Sequence, residues 1–98
     1  VSLRPAFWPE AEQEFRDAVR YHERESPGRG AEFAAEVRVT TEWIVRHPSW
    51  GPPFLAGTRR KTLRGFPYSI IYLQGPGSID VVAVAHQRRD PGYWLDRL

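Results

Sequence analysis

Tyr68-Ser69-Ile70-Ile71-Tyr72-Leu73, then Gly75-Pro76-Gly77, then Ile79-Asp80-Val81-Val82-Ala83-Val84-Ala85, is the stretch on which the fold turns. Both runs are of strand length and rich in β-branched or aromatic residues, and a glycine–proline turn separates them. The first is apolar on nearly both faces and the second is apolar apart from Asp80, so both belong inside a sheet. Thr58 to Leu63 precedes them as a basic strand, with Gly65-Phe66-Pro67 turning into Tyr68. These elements predict a small, mainly antiparallel sheet in the second half of the chain.

The first half reads as helix. Pro9 suits a first helical turn, and Glu10, Glu12 and Glu14 follow where the helix dipole favours acids. Ala11, Phe15, Ala18, Val19 and His22 then recur at three- and four-residue spacing, an amphipathic helix to about Glu25 that Ser26-Pro27-Gly28 closes. A second helix starts near Gly30, with Phe33, Val37, Thr40, Thr41 and Ile44 as its apolar stripe and Ala34 widening it. It ends at His47-Pro48, because the residue before proline is pushed out of helical conformation. The short linker makes the two helices an antiparallel hairpin. Val1 to Phe7 is partly alternating, with Val1 and Leu3 on one face, and reads as an edge strand that Pro5 ends or keeps at the edge. The order is β-α-α-β-β-β, an α+β fold in which a helical hairpin packs on one face of the sheet.

Ninety-eight residues make one domain, residues 1–98. Hydrophobic residues at 41% and aromatics at 13% exclude a disordered chain. No apolar run reaches the ~20 residues of a membrane span, and the N-terminus lacks the pattern of a signal peptide. Cysteine is absent, which removes disulfides, zinc ribbons and thiol chemistry together, so the expected location is the cytoplasm. The net charge of +2 hides an asymmetry: nine acidic and seven basic residues up to position 49, three acidic and seven basic after it. The basic excess of the second half fits an acidic partner or nucleic acid.

Several chemistries are missing. The glycines sit at turns with no phosphate loop, and His22, His47 and His86 have no metal spacing, so no metal or cofactor is expected. Glu10 and Glu14 on the first helix read as a solvated face with Arg20 and Arg24 rather than as acid–base machinery. Two basic clusters remain. In Arg59-Arg60-Lys61 with Arg64, alternation sends Arg59 and Lys61 to one face and Arg60 to the other. Arg88-Arg89 follows the last strand. Together they offer a basic surface for a phosphate backbone or an acidic peptide; as a solvated strand edge, the same charges would block aggregation. Tyr93 and Trp94 can stack on a target, although a terminal Tyr-Trp more often folds back onto the core. Trp50 and Phe54, in the proline-rich segment Ser49 to Phe54, are expected to be partly exposed as a hydrophobic docking patch.

These features, in order, resemble a known family. Phe15–Tyr21, Phe33, Arg46-His47-Pro48, the run from Arg59 through Arg64-Gly65-Phe66-Pro67-Tyr68 to Tyr72, and Val82 to Trp94 are similar to the RelE/ParE superfamily of toxins from type II toxin–antitoxin systems. The likeness covers nearly the whole chain, and the superfamily's fold is the one read above. It implies a growth-inhibiting toxin neutralised by a cognate antitoxin that lies over the helical hairpin and aromatic loop, at Phe15, Val19, Val37, Trp50 and Phe54.

The superfamily divides by target. RelE-like members cleave mRNA on the ribosome, and ParE-like members poison DNA gyrase without a catalytic set. Laid on the RelE pattern, Arg60 and Tyr93 match, but Ser69 and Gln87 stand where cations are common; Arg60, His86, Arg89 and Tyr93 would be the nuclease set. Phe66-Pro67-Tyr68 and Arg89-Asp90-Pro91 are closer to the ParE-like, plasmid-stabilisation branch. The resemblance therefore implies action on gyrase, with Arg59, Arg60, Lys61, Arg64, Arg88, Arg89, Tyr93 and Trp94 meeting the target and no sequence-specific DNA binding by this chain alone. The alternatives are a ribosome-dependent mRNA endonuclease and an inactive homologue that only binds antitoxin or serves autoregulation.

Overall fold

The computed structural model describes residues 4–98; Val1 and Leu3, expected on one face of the edge strand, lie outside them. The chain runs β1 (Pro5–Phe7), α1 (Pro9–Glu25), α2 (Arg29–Arg46), β2 (Arg59–Thr62), β3 (Tyr68–Gly75) and β4 (Ser78–His86), with short 3₁₀ turns at Leu55–Gly57 and Leu95–Arg97. The sheet order is β1-β4-β3-β2. β1 is parallel to β4 and the other pairs are antiparallel. The two apolar runs are the central strands, as their two-sided hydrophobicity predicts. Pro5 begins β1 rather than ending it, at the edge position where a missing N–H costs no ladder bond.

The helices lie antiparallel across one face. Gly30 lets them approach: a Cβ there would stand 2.7 Å from the Val19 carbonyl oxygen. Glu23 closes the turn, accepting the Gly28 and Gly30 N–H groups at 3.1 Å and satisfying donors that the start of α2 leaves open. Phe33 and Ile44 of α2, Ala11 and Ala18 of α1, and Ile70, Tyr72, Ile79 and Val81 of the sheet form the main core.

Opposite Ile71 and Tyr72 the register slips by one residue, leaving Val82 without a partner on β3. Such a bulge turns two successive side chains the same way. Val81 and Val84 consequently face the helices, while Val82 and Ala83 face away from them and join Ile71 in a second cluster. Trp94, fully buried, fills that second cluster, and Trp8, Phe54 and Tyr93 pack around it. The sequence after His86 is therefore no loose tail; it turns back and roofs the far side of the sheet.

Candidate functional site

β2 distributes its charges as alternation requires. Arg59 donates to the Gly51 carbonyl at 2.8 Å. Lys61 carries its ammonium 4.3 Å from the centre of the Trp43 ring, on the helix side. Arg60 faces the other way, its guanidinium 4.4 Å from the centre of Phe54. Arg64 lies past the strand, exposed, with its backbone N–H donated to Glu36 at 3.2 Å.

The basic residues expected to act together thus separate. Only Arg60 and Arg89 meet, across a cavity of about 280 Å³ that His86, Gln87, Thr62 and Ser69 also line, with Phe54, Pro91 and Trp94 as its apolar wall. Arg88 is exposed and does not line it. The Nδ1 of His86 accepts the Arg88 N–H at 3.0 Å, so the neutral ring carries its proton on Nε2.

The residue that organises the neighbouring surface is Glu14, and sequence reasoning missed it. Glu14 is not part of a solvated face: its side chain is only 15% exposed. Arg97 grips it with two bonds of 2.9 Å, the Tyr93 hydroxyl donates to it, and Arg89 approaches to 3.4 Å. The same carboxylate accepts the Val84 N–H at 3.0 Å, while Arg97 donates to the Val82 carbonyl at 3.0 Å. Both backbone groups belong to the half of β4 that three-residue β1 is too short to pair, so two side chains cap that open edge. One signal pointed there: Glu14 sits three residues after Ala11 and four before Ala18, both buried, and so on the inward side of α1.

Burial first, then the hydrogen bond to Glu14, pushes the Tyr93 phenol well above its ordinary pKa of 10.0. A phenol so held is a poor general base, and Tyr93 does not line the cavity that contains Arg60. The guanidinium of Arg89 stacks 3.6 Å from the centre of the Tyr93 ring, so the Glu14 network also fixes one wall of the cavity. Trp94 needs correction: fully buried in the second cluster, its ring offers no surface for stacking on a target.

The residues expected to meet an antitoxin fall into three places. Phe15 and Val37 share a groove of about 490 Å³ with Phe7, Ala34 and the flanking Glu12 and Arg38. Val37 is itself buried, so it forms the floor of that groove. Val19 is partly buried against the main core. Trp50 is 68% exposed, stacked on His47 at 4.0 Å between ring centres, with Trp43 behind. Phe54 is half-buried on the opposite face of the sheet, apart from the helical hairpin.

A family model described as the ParE toxin of the type II toxin–antitoxin system, parDE, matches residues 6–91. No curated protein matches the sequence. Among solved structures, a chain of the chromosomal ParDE TA system from P. aeruginosa superposes with a TM-score of 0.75, covering 87% of this chain and 96% of that one at 13% identity. At that identity the likeness is one of fold: two helices on a four-stranded mixed sheet.

Proposed function

The chain belongs to the ParE toxin family of type II toxin–antitoxin systems, and from that premise we propose that it arrests bacterial growth by acting on DNA gyrase in the cytoplasm and is silenced by a cognate antitoxin. The observation that carries the gyrase reading is the state of Tyr93. RNA cleavage by attack of a 2′-hydroxyl needs a base, a cation at the phosphorane and an acid for the leaving oxygen. Tyr93 is committed to Glu14 and stands outside the cavity that holds Arg60, His86 and Arg89, and two further positions of that cavity are Ser69 and Gln87. Tyr93 held away from the cavity, with Ser69 and Gln87 in place of cations, favours a surface that binds over one that cuts.

The antitoxin reading draws on the groove over Phe15 and Val37, open and largely apolar, and on the exposed Trp50. A segment that fills such a groove with apolar anchors is a common mode of peptide recognition.

Expression of the chain without an antitoxin, scored for cell filamentation, DNA-damage response and translation rate, tests the target. Filamentation with an induced damage response while translation continues is the expected result, together with inhibition of purified gyrase. An immediate halt of translation with codon-positioned cleavage of ribosome-bound mRNA, abolished by His86→Ala, would replace this reading by the nuclease. Unimpaired growth at full expression of folded protein would leave only the antitoxin-binding homologue.

A further inference from the structure

The cavity between β2 and the end of β4 gathers donors, and among the described residues no carboxylate lines it. Arg60 makes no side-chain hydrogen bond or ion pair among the described residues; only the face of its guanidinium is engaged, against Phe54. Arg89 is held by Tyr93 on one face and by Glu14 at a long 3.4 Å, which leaves most of its N–H groups open. Thr62 and Ser69 add hydroxyls from β2 and β3. Trp94 also lines it, its ring fully buried and its Nε1–H without a hydrogen-bond partner among the described residues, which makes the signal of that N–H a reporter of the cavity.

We propose that this cavity is a phosphate-binding site, taking a phosphate ester whose oxygens meet the Arg60 and Arg89 guanidiniums and the Thr62 and Ser69 hydroxyls, beside the buried indole of Trp94. The donors come from β2, β3 and the segment after β4, so they surround the space instead of presenting one flat fork. Such an arrangement suits a tetrahedral oxyanion with several acceptor oxygens better than a carboxylate, which one guanidinium satisfies in a plane. At about 280 Å³ the cavity also exceeds several-fold the ~30 Å³ share of a water, so it admits part of the ester's substituent against Phe54 and Pro91. A nucleotide and a nucleic-acid backbone carry the same group, and both fit this chemistry.

The inference deepens the target surface proposed above and rests on that reading for its role, but not for its test, which uses the purified chain with no gyrase present. Either can therefore fail while the other stands. The probe is the indole N–H signal of Trp94 in a ¹H–¹⁵N spectrum, titrated with thymidine 5′-monophosphate, thymidine, succinate and a short single-stranded thymidylate.

A saturable shift with the monophosphate, absent with thymidine and much weaker with succinate, is expected. Arg60→Ala should weaken binding by about tenfold, the loss of a charge-assisted contact. Arg60 is exposed, so the variant keeps its fold, and Arg24→Ala removes an equal charge from the exposed face of α1 without effect. Tighter binding of the thymidylate than of the monophosphate assigns the site to a backbone, and the reverse order assigns it to a terminal phosphate; both sustain the proposal. No shift, equal binding of succinate, or equal weakening by Arg24→Ala would overturn it.

Discussion

On the helix side of the sheet, Phe33, Ile44, Ile70, Tyr72 and Val81 are buried in one continuous apolar core, and Phe33 alone stacks or edges against Phe15, His22, Phe66 and Tyr68. On the far side, Ile71, Val82 and Ala83 pack against one fully buried ring, Trp94, with Trp8, Phe54 and Tyr93 only partly buried around it, and the Trp94 segment is held down by Glu14 reaching across from α1. One face is closed by area, the other by a polar anchor. Area is distributed over many contacts and tolerates small losses. A single carboxylate that serves Tyr93, Arg97, Arg89 and β4 fails as a unit.

The sharpest way to break the comparison is to cut each face at its centre. Phe33→Ala should cost about 3–5 kcal/mol, the range for a large core aromatic, and lower a urea unfolding midpoint read by helix content. All probes should report that loss together, because the helical face is the main core of a small domain. Glu14→Ala should cost about 3 kcal/mol, since it leaves Arg97 and the Val84 N–H without their acceptor. Its signature differs: amide exchange should rise in Tyr93 to Leu98 before helix content falls. Uniform exchange across the whole chain in Glu14→Ala would erase the distinction between the faces.

The same contrast explains what was legible in the sequence. Helices, central strands and the split of Arg60 from Arg59 and Lys61 follow from local periods of 3.6 and 2, which are written in neighbouring residues. Trp50 was legible too, as a large ring in a proline-rich loop, and it is exposed. The far face depends on residues 70 to 83 positions apart, Glu14 with Val84, Tyr93 and Arg97, and no local period records such a pair. In sequence, Glu14 reads as solvated because it groups with Glu10, Arg20 and Arg24 as one charged helix face, and of these Glu10, Arg20 and Arg24 are exposed while Glu14 is not. Trp94 carried both readings, and its burial against Ile71, Val82 and Ala83 decides between them.

The smallest effects concern pH, and they separate the faces once more. His22 lies on the helix side among Phe33, Phe66 and Tyr68, its buried Nε2 without a partner among the described residues. Burial, then Arg29 and His86, hold its pKa below the usual 6.5. The unfolded chain therefore takes up this proton first as pH falls, so the contribution is complete above pH 6.5 and declines below it, by at most about 1.4 kcal/mol per pH unit. Tyr93 acts at the other limb. Its raised pKa means that the unfolded chain loses the phenolic proton first, so stability is complete below pH 10 and declines as pH rises further. Urea midpoints between pH 5 and 11 should thus show His22→Leu flattening the acid slope and leaving the alkaline one. Tyr93→Phe should lessen the alkaline slope without abolishing it, because burial raises Tyr68 and Tyr72 as well. An acid slope unchanged in His22→Leu would mean that the unpartnered imidazole carries no titration energy, which leaves the alkaline limb, shared by Tyr93 on one face and Tyr68 and Tyr72 on the other, as the pH-sensitive one.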